Sequence, residues 1–201
     1  MIHAVVFDLD GVLRNIDSAQ LSDLELRCTL PAGAISAAAF QPSLLIPVTT
    51  GQITRAQWIE QVGMALGNHD AAAQWGRIAA VPNRELLAMV DEIRSAGILT
   101  AILTNGTDRI AEELAEQGIG SHFDQVFNSA ELGVIKPDPA IFAVVLKTLS
   151  LKAHEVFFTD DSANKLTGAA ELGMRTHHYQ GVEALRRALV EHGVLQAQEN
   201  S

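Results

Sequence analysis

Four short apolar runs, at residues 2–7, 98–103, 126–127 and 156–159, are separated by stretches of helical periodicity, and this alternation limits the fold more than any other feature. Runs that are apolar throughout, rather than at every second position, suit strands covered on both faces, which is the habit of parallel sheets. A fifth run, at 174–179, has a weaker version of the same pattern. Helices are expected at 84–96, 108–117, 139–149, 163–172 and 182–192, the third opening at Pro139, where proline forfeits no helix hydrogen bond. Strands alternating with helices predict an α/β protein, a doubly wound parallel sheet with a Rossmann-like core.

Residues 16–81 interrupt the alternation. They contain no convincing strand and read as helices separated by Pro31, Pro42, Pro47 and Gly51. The expectation is a small α-helical cap, 16–81, inserted into a core made of 1–15 and 82–201. Thr54 and Gln57 have the spacing of a capping box, and Trp58, Ile59, Val62 and Leu66 then share one face of the following helix. Trp58 and Trp75 are read as cap core. The polar end, 196–201, is expected to fray.

A chain of 201 residues can bury one good core with an insertion, but hardly two large domains. Its formal net charge of -10, with 14 lysines and arginines scattered along the chain, disfavours nucleic acid as a partner. The lone Cys28 has no internal disulfide partner and reads as a reduced, packed thiol. No run of about 18 apolar residues is present, and carboxylates interrupt the N-terminal apolar stretch. The expectation is a cytoplasmic protein with no membrane partner.

Ligands of open parallel sheets bind beyond the carboxyl ends of the strands. Asp8, Leu9, Asp10 and Gly11 follow the first run, Thr104, Asn105 and Gly106 the second, and Asp160, Asp161 and Ser162 the fourth. Lys136 precedes the helix at Pro139. Asp8 and Asp10, two apart, point to one side if strand geometry persists, while Leu9 turns into apolar packing. Crowded carboxylates resist ionising together without a cation, and a hard oxygen-preferring ion such as Mg2+ meets that need. Lys136, the Thr104 hydroxyl and the amides after it suit an anion. Metal, anion site and in-line carboxylate together specify phosphoryl transfer.

FDLDGVL from Phe7, LTN from Leu103, GVIKPDPAIF from Gly133 and FFTDD from Phe157 resemble, in order and spacing, the four motifs of the haloacid dehalogenase-like hydrolases. The resemblance implies that Asp8 attacks phosphorus to give an aspartyl-phosphate, and that Asp10 protonates the leaving oxygen and then activates water. It implies that Asp161, with Asp160, holds Mg2+ beside the Asp8 carboxylate and the Asp10 carbonyl, while Thr104, Asn105 and Lys136 hold the phosphoryl oxygens. The substrate implied is a small phosphate ester, as in sugar-phosphate phosphatases and the N-terminal phosphatase-like domain of soluble epoxide hydrolases. Dehalogenation is disfavoured, because halide leaves without a proton or a metal, and dehalogenases of the family lack the second aspartate and the acidic fourth motif. A phosphosugar mutase, or a binding or regulatory protein with negligible turnover, are the competing readings.

One position departs from the pattern. Members of the family that the chain resembles usually carry Asp or Asn four residues beyond the acid of the fourth motif, and here Lys165 stands there, with Asn164 one place earlier. Lys165 either faces solvent or neutralises Asp160 or Asp161 and weakens metal binding.

Other polar residues receive structural readings. His177 and His178 are adjacent on a strand and point to opposite faces, so they do not share an ion; His69 and His122 are isolated. Arg14, Asn15 and Asp17 lie where the core meets the cap, in reach either of a substrate or of the start of the next helix, and capping of that helix is the favoured reading for them.

Overall fold

In a computed structural model, which describes residues 1–197, the chain begins with β1 (Ala4–Phe7) and then a two-residue strand β2 (Arg14–Asn15). The expected fraying of 196–201 lies largely outside the described residues. Five helices follow: α1 (Ser18–Arg27), α2 (Ala34–Ala39), α3 (Pro42–Thr49), α4 (Arg55–Leu66) and α5 (His69–Trp75). The chain returns through β3 (Val81–Pro82) to α6 (Arg84–Ser95), β4 (Leu99–Thr104), α7 (Ile110–Glu116), β5 (Gln125–Asn128) and α8 (Ser129–Leu132). It ends with α9 (Pro139–Leu149), β6 (Val156–Asp160), α10 (Thr167–Glu171), β7 (Arg175–His178) and α11 (Val182–Glu191).

The main sheet has the order β5-β4-β1-β6-β7, and every neighbouring pair is parallel. From β1 the chain builds outwards through β4 to β5, then crosses back to add β6 and β7 on the other side. The reversal places a crevice at the carboxyl ends of β1 and β6, the position that doubly wound sheets offer to ligands. Alternation along the strands feeds two apolar layers. Val5, Phe7, Ile102 and Phe157 meet Leu86, Val90, Ile93, Leu185 and Leu189 on one face. Val6, Ala101, Leu103 and Phe158 meet Ile141, Phe142 and Val145 on the other. The valine, leucine, isoleucine and phenylalanine side chains among these contribute about 1.5–3 kcal/mol each when fully buried.

The helical segment has a core of its own around Leu24, Ile35, Val48, Trp58, Val62 and Trp75. The two indole rings meet edge to face at 4.9 Å, and Trp58 Nε1 donates to the Ala39 carbonyl at 3.1 Å. Thr54 and Gln57 form the capping box reciprocally at the start of α4. Cys28 is partly buried against the same cluster. Pro47, read from sequence as a separator, lies inside α3; it removes one i to i−4 hydrogen bond, and the helix ends two residues later at Thr49. The stretch 163–172 is likewise not one helix but a 3-10 turn, Ala163–Leu166, running into α10.

The strands β2 and β3 pair antiparallel, Arg14 opposite Pro82 and Asn15 opposite Val81, so the chain leaves and re-enters the main sheet region through adjacent strands. No helix among the described residues is long and apolar enough to cross a membrane.

Candidate active site

The first strand ends at Phe7, and the chain then turns tightly, with the amides of Val12, Leu13 and Arg14 all donating to the Leu9 carbonyl. Leu9 is fully buried, as the sequence pattern predicts, and anchors this turn. Asp8 is 2% exposed and still in register with β6, its amide bonded to the Thr159 carbonyl at 2.9 Å. Gly11 has φ of +90°, and a Cβ there would stand 2.2 Å from Asp161 Oδ2. Only glycine lets Asp161 close on this loop.

Lys136 is the other fixed point. Its side chain is fully buried, and Nζ contacts Asp8 Oδ1 at 2.7 Å, Asp160 Oδ2 at 2.6 Å and the Leu103 carbonyl at 2.8 Å. An ammonium has three donors, and all three are taken. Asn105 holds the Lys136 backbone from both sides, its Nδ2 donating to the Lys136 carbonyl at 2.9 Å and its Oδ1 accepting from the Lys136 amide at 2.8 Å. The Asn105 side chain therefore positions Lys136. Thr104 is buried at the end of β4, beside the loop that carries Asn105 and Gly106.

Asp8, Asp160 and Asp161 each offer an oxygen within 4.8 Å of the others. Asp8 and Asp160 are buried while Asp161 is exposed, so the cluster is closed on one side and open on the other. Burial opposes ionisation of Asp8, but Lys136 and then Lys165, with hydrogen bonds from Lys136 and the Leu9 amide, hold its carboxyl below the usual aspartate range. Asp160 is pushed up to about 6 by burial and by the neighbouring Asp8, against the pull of Lys136 and Lys165. The two acids share one ammonium, and Asp8 takes the negative charge first.

The Lys165 ammonium turns into the cluster rather than to solvent. It lies 3.4 Å from Asp8 Oδ2 and 3.9 Å from both Asp160 Oδ1 and Asp161 Oδ1. Partial burial pulls its pKa down, yet Asp8, Asp160 and Asp161 outweigh that and hold it above the ordinary lysine value. The sequence pattern left both orientations open, and the contact with Asp8 was in neither.

Asp10 stands apart. It is exposed, and Arg14 Nε donates to its Oδ1 at 2.7 Å. Arg14 itself is 5% exposed and also pairs with Glu113 Oε2 at 2.9 Å and Gln117 Oε1 at 3.2 Å. The helix-capping reading fits Asp17, whose Oδ1 accepts from the Ala19 amide at 2.9 Å, but not Arg14. The signal for Arg14 was its spacing of four from Asp10 in a turn. His177 contacts Thr159 Oγ1 at 3.1 Å and His178 the Asp161 carbonyl at 2.9 Å, so the two histidines serve separate places. A groove of about 600 Å³ between α7 and β5, lined by Ile110, Leu114 and Val126, contains none of Asp8, Asp10, Asp160 and Asp161.

The donor set is suited to a hard divalent ion: three carboxylate oxygens, no sulfur or imidazole, and a glycine cradle that keeps Asp161 close. Residues able to hold Mg2+ are thus Asp8, Asp160 and Asp161, with the Asp10 carbonyl on the same turn.

The family model for haloacid dehalogenase-like hydrolases matches residues 2–173. Bifunctional epoxide hydrolase 2 of Sus scrofa is 30% identical over 205 residues, covering 87% of this chain and 36% of that protein. The chain thus spans about a third of the length of the epoxide hydrolases it matches. Phosphoserine phosphatase of Thermus thermophilus is 36% identical over 93 residues, 45% of this chain and 37% of that protein. A haloacid dehalogenase family enzyme of Bacteroides thetaiotaomicron, solved with magnesium and inorganic phosphate, superposes with a TM-score of 0.72 at 23% identity, covering 88% of this chain and 93% of that one. An L-2-haloacid dehalogenase of Xanthobacter autotrophicus has the fold too, so the fold alone does not select the reaction.

Proposed function

The chain belongs to the haloacid dehalogenase-like hydrolases, and from that footing we propose that it is a magnesium-dependent phosphatase of small phosphorylated metabolites, with Asp8 as nucleophile. The observation that carries the reading is a buried Asp8 fixed by Lys136, which holds its carboxyl below the usual aspartate range, and set among Asp160 and Asp161. A carboxylate beside a lysine would serve displacement at carbon as well, but a halide leaves without the further acids Asp160 and Asp161, whereas a phosphoryl group, with its negative oxygens, needs cations at the reacting centre, which those acids can hold. The phosphatases among the chain's relatives favour the same choice.

In this reading an Asp8 carboxylate oxygen attacks phosphorus, the bond from phosphorus to the ester oxygen breaks, and the departing alkoxide takes a proton from Asp10. Water then attacks the phosphoryl group on Asp8, giving its proton to Asp10, and orthophosphate leaves as the Asp8 carboxylate is restored. Asp10 must turn from Arg14 towards the ester oxygen to act. Lys136 keeps Asp8 aimed and ionised, and must exchange one of its present acceptors to meet a phosphoryl oxygen. The Thr104 hydroxyl and the main chain at Asn105 complete the anion site. A Mg2+ ion, when bound by Asp8, Asp160, Asp161 and the Asp10 carbonyl, supplies positive charge for the phosphoryl oxygens. The helical cap of residues 16–81 is read as the lid that excludes water and bulky substrates.

The test is phosphate release from an aryl phosphate and a panel of phosphorylated metabolites. Release with magnesium, abolished by chelator and by Asp8→Asn, is expected; an isomerised sugar phosphate without free phosphate would instead indicate a mutase. No release from any ester across plausible pH would overturn the reading.

A further inference from the structure

Lys136 and Lys165 bring two ammonium groups to the same carboxylates, but they are held very differently. Lys136 is fully enclosed and tied to a backbone carbonyl as well as to two acids, so it cannot leave without unfolding its surroundings. Lys165 makes only the longer contacts of 3.4 and 3.9 Å, its side chain is 32% exposed, and it rises from a short 3-10 turn. A lysine stem in that position can swing to water once its ion pairs with the three acids are given up.

Lys165 ends beside the oxygen cluster, in contact with all three acids. Its Nζ reaches one oxygen of each of the three acids whose oxygens lie within 4.8 Å of one another. An ion bonded at magnesium distances, about 2.1 Å, to the Asp8 oxygen that Lys165 contacts would lie within about 5.5 Å of the ammonium. A dication and a lysine ammonium so close repel strongly even at the effective dielectric of a protein surface. The two are therefore alternatives.

We propose that Lys165 is a tethered counter-cation that neutralises the metal-free site and must be displaced when a divalent ion binds, so that it sets the metal requirement of this chain. The inference rests on the magnesium reading of the site. In the metal-free protein Lys165 compensates Asp8, Asp160 and Asp161 and keeps them ordered. Magnesium entry exchanges those ion pairs for metal bonds and sends the ammonium to solvent. The chain consequently binds magnesium more weakly than it would with a neutral residue at this position.

The experiment is calorimetric titration of the metal-free protein with magnesium chloride, comparing the wild type with Lys165→Met, which keeps the stem and removes the charge, and with Lys165→Arg, which keeps the charge. Lys165→Met is expected to bind magnesium at least about tenfold more tightly and to melt at a lower temperature in chelator, while Lys165→Arg stays weak. Lysine acylation of the wild type, read by mass spectrometry, supplies a measurement without any variant: modification of Lys165 should rise when magnesium is added. Equal or weaker binding by Lys165→Met, or unchanged acylation, would overturn the inference and leave the phosphatase reading standing. Absence of magnesium binding in all proteins would overturn both.

Discussion

At the residue scale, the chemistry of the site turns on two buried acids that share one buried ammonium. Asp8 and Asp160 cannot both be ionised comfortably beside Lys136, and the balance falls to Asp8, leaving Asp160 pushed up to about 6. The sign of the consequence follows from proton counting. Between the ordinary aspartate value of 3.8 and about 6, the folded metal-free chain holds a proton on Asp160 that the unfolded chain has released. Rising pH therefore favours unfolding in that window through this group. In chelator, the wild type should lose stability relative to Asp160→Asn as pH climbs from 3.8 through about 6, read from melting temperatures of the two proteins. A constant difference across the window would contradict the assignment. The acids themselves, and Lys136, were legible in the sequence because strand ends of an open sheet collect ligand-binding residues. The Arg14 clamp on Asp10 and the Lys165 contact with Asp8 were not, because each depends on where a long side chain turns after its backbone is placed.

At the element scale, short structures are stabilised by groups that answer unpaired backbone amides. The helix α2 has only six residues, and its start is secured from α1, where the Glu25 carboxylate accepts from the Gly33 amide at 2.8 Å and the Ile35 amide at 3.0 Å. Glu25 is 4% exposed. Glu25→Ala should cost about 1–3 kcal/mol, the usual penalty for leaving buried donors unsatisfied. Chemical denaturation would measure it, and a loss below a few tenths would show that water or a rearranged loop takes over. The sequence contains no local sign of this contact, since eight residues and a loop separate the acid from the first amide it caps. The capping box at Thr54 and Gln57, by contrast, is local and could be read directly. Strand positions were legible for a similar reason: apolar runs buried on both faces persist whatever the tertiary details. Pro47 misled because a proline one turn into a short helix removes a hydrogen bond without ending the helix at once.

At the scale of the whole molecule, the two strands β2 and β3 place the helical segment next to the carboxyl edge of the sheet. Thr49 accepts a hydrogen bond from buried Ser129 Oγ, whose oxygen in turn accepts from the Gly106 amide at 3.1 Å. The Arg55 amide donates to Asp108 Oδ1 at 2.7 Å. The loop after β4 is thus braced by the segment proposed to act as a lid. A lid so close to the reacting centre should admit small esters and exclude folded phosphoproteins. Parallel phosphate-release assays on an aryl phosphate and a phosphorylated folded protein should show turnover of the first only; comparable rates on both would contradict a closing cap. The central claim is that Asp8 carries the phosphoryl group, and acid quenching during turnover of an aryl phosphate with magnesium, followed by mass analysis of the peptide containing Asp8, tests it most directly. The account predicts one phosphoryl group on Asp8 in the wild type and none, with no turnover, in Asp8→Asn; wild-type phosphate release by that variant would contradict it.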